Sequence, residues 1–114
     1  MSSFEITGGK ILNGEIVPQG AKNEALQVIC AVLLSDEEIT IENVPNIRDV
    51  NKLIELLEYL GVKVHKPAAD TYTFQADRVD IDHIYTERYS QMASSLRGSI
   101  MLVGPMLARF GKAH

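Results

Sequence analysis

Apolar and polar positions alternate from the start of the chain. Phe4 and Ile6 interleave with Glu5 and Thr7, the period of two that a half-buried strand needs. Gly8-Gly9 signals a turn, Ile11-Leu12 a short strand, and Gly14-Glu15-Ile16-Val17 another, closed by Pro18 and Gly20. The period then lengthens. Ala25, Leu26, Ile29, Cys30 and Leu33 follow helical spacing and predict a helix over 22–34 that ends at Ser35-Asp36. Ile39 and Ile41 alternate within 38–42, a strand, and Asn43 to Asn46 form a turn in which Asn46 is placed to cap the next helix. Val50, Leu53, Ile54, Leu57 and Leu60 give that helix its apolar stripe, and Gly61 is its stop. Residues 62–65 and 71–76 read as strands of a hairpin turning at 67–70. Beyond Asp82, Tyr89, Met92, Ala93, Leu96, Ile100 and Val103 predict one long helix, broken or kinked at Pro105.

Helices between strands, followed by a hairpin, imply an α+β fold: a mixed sheet with helices packed on it. At 114 residues, with 46% apolar and 23% charged residues, the chain has the size of one domain with a real core. One cysteine excludes a disulfide scaffold and a four-cysteine zinc site. The net charge of −4 argues against a general nucleic-acid binder, yet leaves room for a local cationic pocket. No secretory signal opens the sequence, and the apolar stretch 26–34 is far short of the ~20 residues that cross a bilayer. A cytoplasmic protein with no membrane or nucleic-acid partner is the expectation.

Two stretches carry candidate chemistry. In Gly20-Ala21-Lys22-Asn23-Glu24, a glycine permits close backbone approach and a cation opens a helix, where the dipole disfavours it. Either Lys22 serves a phosphate or carboxylate held at the helix start, or it is a surface lysine. In Ser94-Ser95-Leu96-Arg97-Gly98-Ser99, small neighbours leave the Arg97 guanidinium room for a bidentate grip on an anion; the alternative is a solvated arginine. Arg109 and Lys112 read as solvated terminal charges. Cys30, on an apolar face, reads as core. His65, His83 and His114 lack ligand spacing, and Asp77, Asp80 and Asp82 read as a solvated turn, so no metal site is expected.

Four stretches, in order, carry a resemblance that covers essentially the whole chain. They are Gly20-Ala21-Lys22-Asn23-Glu24-Ala25-Leu26; Glu42-Asn43-Val44-Pro45 with Arg48-Asp49-Val50; Leu60-Gly61-Val62-Lys63-Val64; and Leu96-Arg97-Gly98-Ser99-Ile100 leading to 104–111. The chain resembles the N-terminal part of the UDP-N-acetylglucosamine 1-carboxyvinyltransferases, a family of enolpyruvyl transferases. The resemblance implies one β-α-β-α-β-β unit of an inside-out α/β barrel fold, residues 21–114, preceded by strands in residues 1–20 that belong to the other domain. It implies transfer of the enolpyruvyl group of phosphoenolpyruvate to the 3′-hydroxyl of UDP-N-acetylglucosamine, in peptidoglycan synthesis, without a cofactor. Lys22 and Asn23 would contact phosphoenolpyruvate and Arg97 the UDP-GlcNAc side, with Asp49 and Arg48 supporting them. The general acid would lie beyond His114, so no catalytic residue is expected within the chain, and the chain alone is expected to be inactive. Its partners would be the remainder of its own chain or a second copy. A 5-enolpyruvylshikimate-3-phosphate synthase is the nearest alternative, disfavoured by Asn23 where that family usually has Ser. A non-catalytic α+β module associating through exposed strands is the other.

Overall fold

A computed structural model of the chain describes residues 2–18, 20–96 and 101–113. The elements run α1 (Lys22–Ala31), a 3-10 turn (Val32–Leu34), β1 (Glu38–Ile41), α2 (Arg48–Tyr59), β2 (Lys63–Ala68), β3 (Thr71–Gln75), a second 3-10 segment (Ile81–Tyr85), α3 (Glu87–Ser94) and α4 (Val103–Phe110). The strands form one sheet in the order β1-β3-β2, with β3 antiparallel to both neighbours. β1 and β2 therefore point the same way without pairing, each entered from a helix, and within the expected α+β class the sheet is antiparallel throughout rather than mixed.

Alternation in the strands separates two faces. Ile39, Phe74 and Val64 lie in register across the sheet and turn one way, whereas Thr40, Thr73 and His65 turn the other. Phe74 is fully buried, and its rung packs into a core that includes Ile29 and Leu33 from the α1 segment and Leu53, Leu56 and Leu57 from α2. The opposite face is polar, with the Thr40 and Thr73 hydroxyls 3.3 Å apart. The apolar stripe of α2 is buried as its spacing requires, and Leu60, its C-cap, is buried as well. Gly61 follows at φ 104°, a left-handed turn that an L side chain resists, and it lets the Asp80 amide donate to the Leu60 carbonyl at 2.8 Å.

Four local expectations are corrected. Residues 2–18 form no strand: Phe4, Ile6, Ile11, Leu12, Ile16 and Val17 are 85–98% exposed. A strand needs a partner edge for its amides and carbonyls, and alternation alone supplies none. Asn46 does not cap α2. The N-cap is Ile47, without a side-chain hydrogen bond, and the Asn46 Oδ1 instead accepts from the side-chain Nδ2 of Asn51 at 3.1 Å. β2 runs on to Ala68 through Pro67, with a register shift between His65 and Ala68. Proline is tolerated there because β2 is an edge strand. Finally, α3 and α4 are separate helices. The Ser94 and Ser95 hydroxyls donate back to the Gln91 and Met92 carbonyls where α3 ends, and Pro105 sits in the first turn of α4, where its missing N–H costs little.

Thr86 caps α3 by accepting from the Tyr89 amide, and its hydroxyl also receives the Tyr59 hydroxyl at 2.7 Å, which fastens α3 to the end of α2. Cys30 is a core residue, and burial pushes its thiol up to about 12. Burial likewise raises the Tyr89 hydroxyl above its ordinary value, with a smaller contribution from Cys30.

Candidate anion site

The chain approaches α1 through Gly20. A β-carbon there would collide with the Asn43 backbone carbonyl, in a loop where Asn43 itself takes a left-handed φ of 58°. The close approach that glycine permits is thus made by the protein's own backbone rather than by a ligand. That loop leads into α2 and is tied to the hairpin turn by the Val44 amide, which donates to the Asp70 carbonyl at 2.8 Å. The contact brings the start of α1 beside the start of α2.

Lys22, the first residue of α1, places its Nζ 2.5 Å from the Asp49 Oδ2, on the second residue of α2. Both helices therefore begin at one edge, where their positive dipole ends add. Neither start has a side-chain cap, since the N-cap residues are Ala21 and Ile47. Lys22 is about half exposed and Asp49 about one-third. The Lys22 hydrogen bond, foremost, holds the Asp49 carboxyl below the usual carboxylate range. The charges of Lys22, Lys52 and Arg48 act in the same direction, and partial burial opposes them. Asn23 is exposed on the first turn of α1. Chemically, this edge offers an ammonium, a nearby guanidinium and uncapped backbone N–H groups to an anionic group.

A cavity of about 170 Å³ lies next to this edge, between α1 and the loop after β1. Its lining includes the acidic residues Glu24 and Glu42 beside Val28 and Ile41, a poor setting for a phosphate. The cationic edge is therefore the better candidate.

Lys22, Asn23, Arg48 and Asp49 thus fall at the adjoining starts of two helices. Arg97 lies outside the described residues, as does His114. Arg109 is not a solvated terminal charge. Its Nη1 donates to the Leu33 and Ser35 carbonyls at 3.0 and 2.9 Å, joining α4 to the far end of the α1 segment. The only local hint of this was a cation near a helix C-terminus; its acceptors lie more than seventy residues away in sequence. Among the described residues, no group of three His, Cys, Asp or Glu side chains is arranged to hold a metal, and no helix is long and apolar enough to cross a membrane.

A three-stranded antiparallel sheet whose two outer strands point the same way, each entered from a helix, with both helices starting at one cationic edge, makes the chain an α+β unit. The family model of EPSP synthase (3-phosphoshikimate 1-carboxyvinyltransferase) matches residues 6–114, and the chain belongs to that family. Its relatives include the UDP-N-acetylglucosamine 1-carboxyvinyltransferase of Bacteroides thetaiotaomicron, 57% identical over 113 residues, covering 99% of this chain and 26% of the relative. The proteins of the same name from Porphyromonas gingivalis and Psychrobacter arcticus are 54% and 41% identical, each again covered over 26% of its length. The crystal structure of the enolpyruvyl transferase NikO from Streptomyces tendae superposes with a TM-score of 0.70 at 25% identity, over 91% of this chain and 23% of that one. The chain spans about a quarter of the length of the curated relatives it matches.

Proposed function

We propose that this chain is the N-terminal part of an enzyme that transfers the enolpyruvyl group of phosphoenolpyruvate to the 3′-hydroxyl of UDP-N-acetylglucosamine and releases phosphate. The observation that carries this reading is the 57% identity, over nearly the whole chain, to a relative named for that reaction. In the reaction, carbon 3 of the enolpyruvyl group gains a proton and the hydroxyl adds to carbon 2. The tetrahedral adduct then loses its proton from carbon 3 and its phosphate, restoring the double bond. Cations must offset the phosphate and carboxylate charges throughout.

Within the chain, Lys22 and Asn23 would meet phosphoenolpyruvate, and Arg97 the UDP-GlcNAc side. Asp49 would orient the Lys22 ammonium before the anion binds, with Arg48 adding charge at the same edge. The general acid would come from a segment beyond residue 114. Residues 2–18, whose apolar side chains are exposed, would pack against other parts of the same polypeptide, in the domain across the cleft. In this chain alone they offer a surface for self-association. The site of action would be the cytoplasm, where both substrates are found.

Incubating the 114-residue chain with both substrates and assaying phosphate should show no turnover. In the complete enzyme, Lys22→Ala should lower kcat/KM by about 100-fold or more, the scale for loss of a charged transition-state contact. Robust turnover by the short chain overturns the placing of the general acid beyond residue 114, and unaltered kinetics in the variant removes Lys22 from the site. Titrating the complete protein with UDP-GlcNAc and with shikimate 3-phosphate separates the two transferase readings.

A further inference from the structure

The Lys22–Asp49 pair has a second side that follows from where its neighbours sit. Asp49 has three cations around it: Lys22 on α1, and Arg48 and Lys52 on its own helix. Arg48 precedes it directly, and Lys52 lies one turn further along α2. The one other acidic residue in the first turn of either helix is Glu24. The pair is partly exposed, so each partner can be reached by solutes without opening the core.

An anion approaching Lys22 therefore meets an ammonium already matched to an internal carboxylate. If the carboxylate gives up Lys22, it is not stranded, because Arg48 and Lys52 remain beside it. Among the described residues, Asp49 is the one ion-pair partner of Lys22. We propose that Asp49 is a built-in competitor for the Lys22 ammonium, displaced onto the cations of α2 when a phosphate or carboxylate group binds. This rests on the reading of Lys22 as an anion contact and adds a regulation to it. The salt bridge that joins the first turns of α1 and α2 is exchanged for the ligand, so loading the site removes this side-chain tie while the Gly20–Asn43 backbone contact stays. Anion affinity is held below what Lys22 alone would give.

The probe is inorganic phosphate, titrated at constant ionic strength into the 114-residue chain while the backbone amide resonances of residues 22–25 are followed. Asp49→Asn, and Asp49→Ser as a second variant, should bind phosphate about two- to fivefold more tightly, the range expected for release from a partly exposed ion pair. Asp49→Glu, which keeps the carboxylate, should bind as the parent does. In a Lys22→Ala background, Asp49→Asn should bring no gain, which separates exchange at Lys22 from a general change in charge. Equal or weaker binding by Asp49→Asn, or a gain that survives without Lys22, overturns the exchange. Weakening by Lys22→Ala with no gain from Asp49→Asn leaves the anion contact standing and removes only the competitor. Absence of Lys22-dependent phosphate binding removes both.

Discussion

Gly20 lies directly against the Asn43 carbonyl, so that the segment leading into α1 touches the loop before α2 with no room for a side chain. This backbone contact sets the spacing of the two helix starts and hence the reach of Lys22 to Asp49. Gly20→Ala should destabilise the chain by about 1–3 kcal/mol, the usual cost of overpacking where the opposing atom is backbone. Urea denaturation measures this. Stability equal to the parent would mean that the loop yields freely and does not set the spacing.

The Asp49 carboxyl should titrate below its ordinary value, because the Lys22 hydrogen bond favours the charged form. A carboxyl depressed on folding contributes stability that is fully present above its unfolded pKa, about 3.9, and is lost as pH falls through the folded value. The contribution should therefore persist through neutral and mildly acidic pH and vanish only in strong acid. Carboxyl carbon shifts followed by NMR should show the depressed midpoint, and Lys22→Ala should move it upward.

Arg109 secures the far end of the same helix segment. Arg109→Ala leaves the half-buried Leu33 and Ser35 carbonyls without their charged donor, and should cost about 1–3 kcal/mol. Arg109→Lys should recover only part of this, since a single ammonium reproduces the guanidinium geometry poorly. Thermal unfolding of the two variants provides the check.

Cys30 should resist alkylation in the folded chain. Burial holds its thiol protonated, with a pKa near 12, and the thiolate is the reactive species. Iodoacetamide at pH 8 should label it only slowly in buffer and quickly in denaturant. Rapid labelling of the native protein would contradict its burial.

Residues 2–18 should contribute little to the stability of the 114-residue chain, because their apolar side chains remain in water. Removing them should leave the denaturation midpoint almost unchanged and reduce any concentration-dependent association in sedimentation. A large loss of stability would show that this segment packs on the core.

Periodicity located the helix stripes, the isoleucines of β1, the hairpin and the burial of Cys30, because each follows from the face that a residue occupies on its own element. It overran at 2–18 and between α3 and α4. In the first case the missing ingredient was a partner edge; in the second, hydroxyls of Ser94 and Ser95 competed with the next helical turn. The candidate site was legible in the misplaced cation Lys22 and the glycine before it. The role of that glycine was not, since the atom it admits belongs to Asn43.

The amino-acid sequence by itself determined the α-β-α-β-β order between residues 22 and 76, the residues of those apolar faces and, through four ordered motifs, the family. Tertiary structure decided which charges meet. The pairing of Lys22 with Asp49 and of Arg109 with the Leu33 and Ser35 carbonyls joins residues 27 to 76 positions apart. No local rule specifies such partners, because a hydrophobic face is encoded within one turn or strand, whereas an ion pair exists only after separate elements have packed.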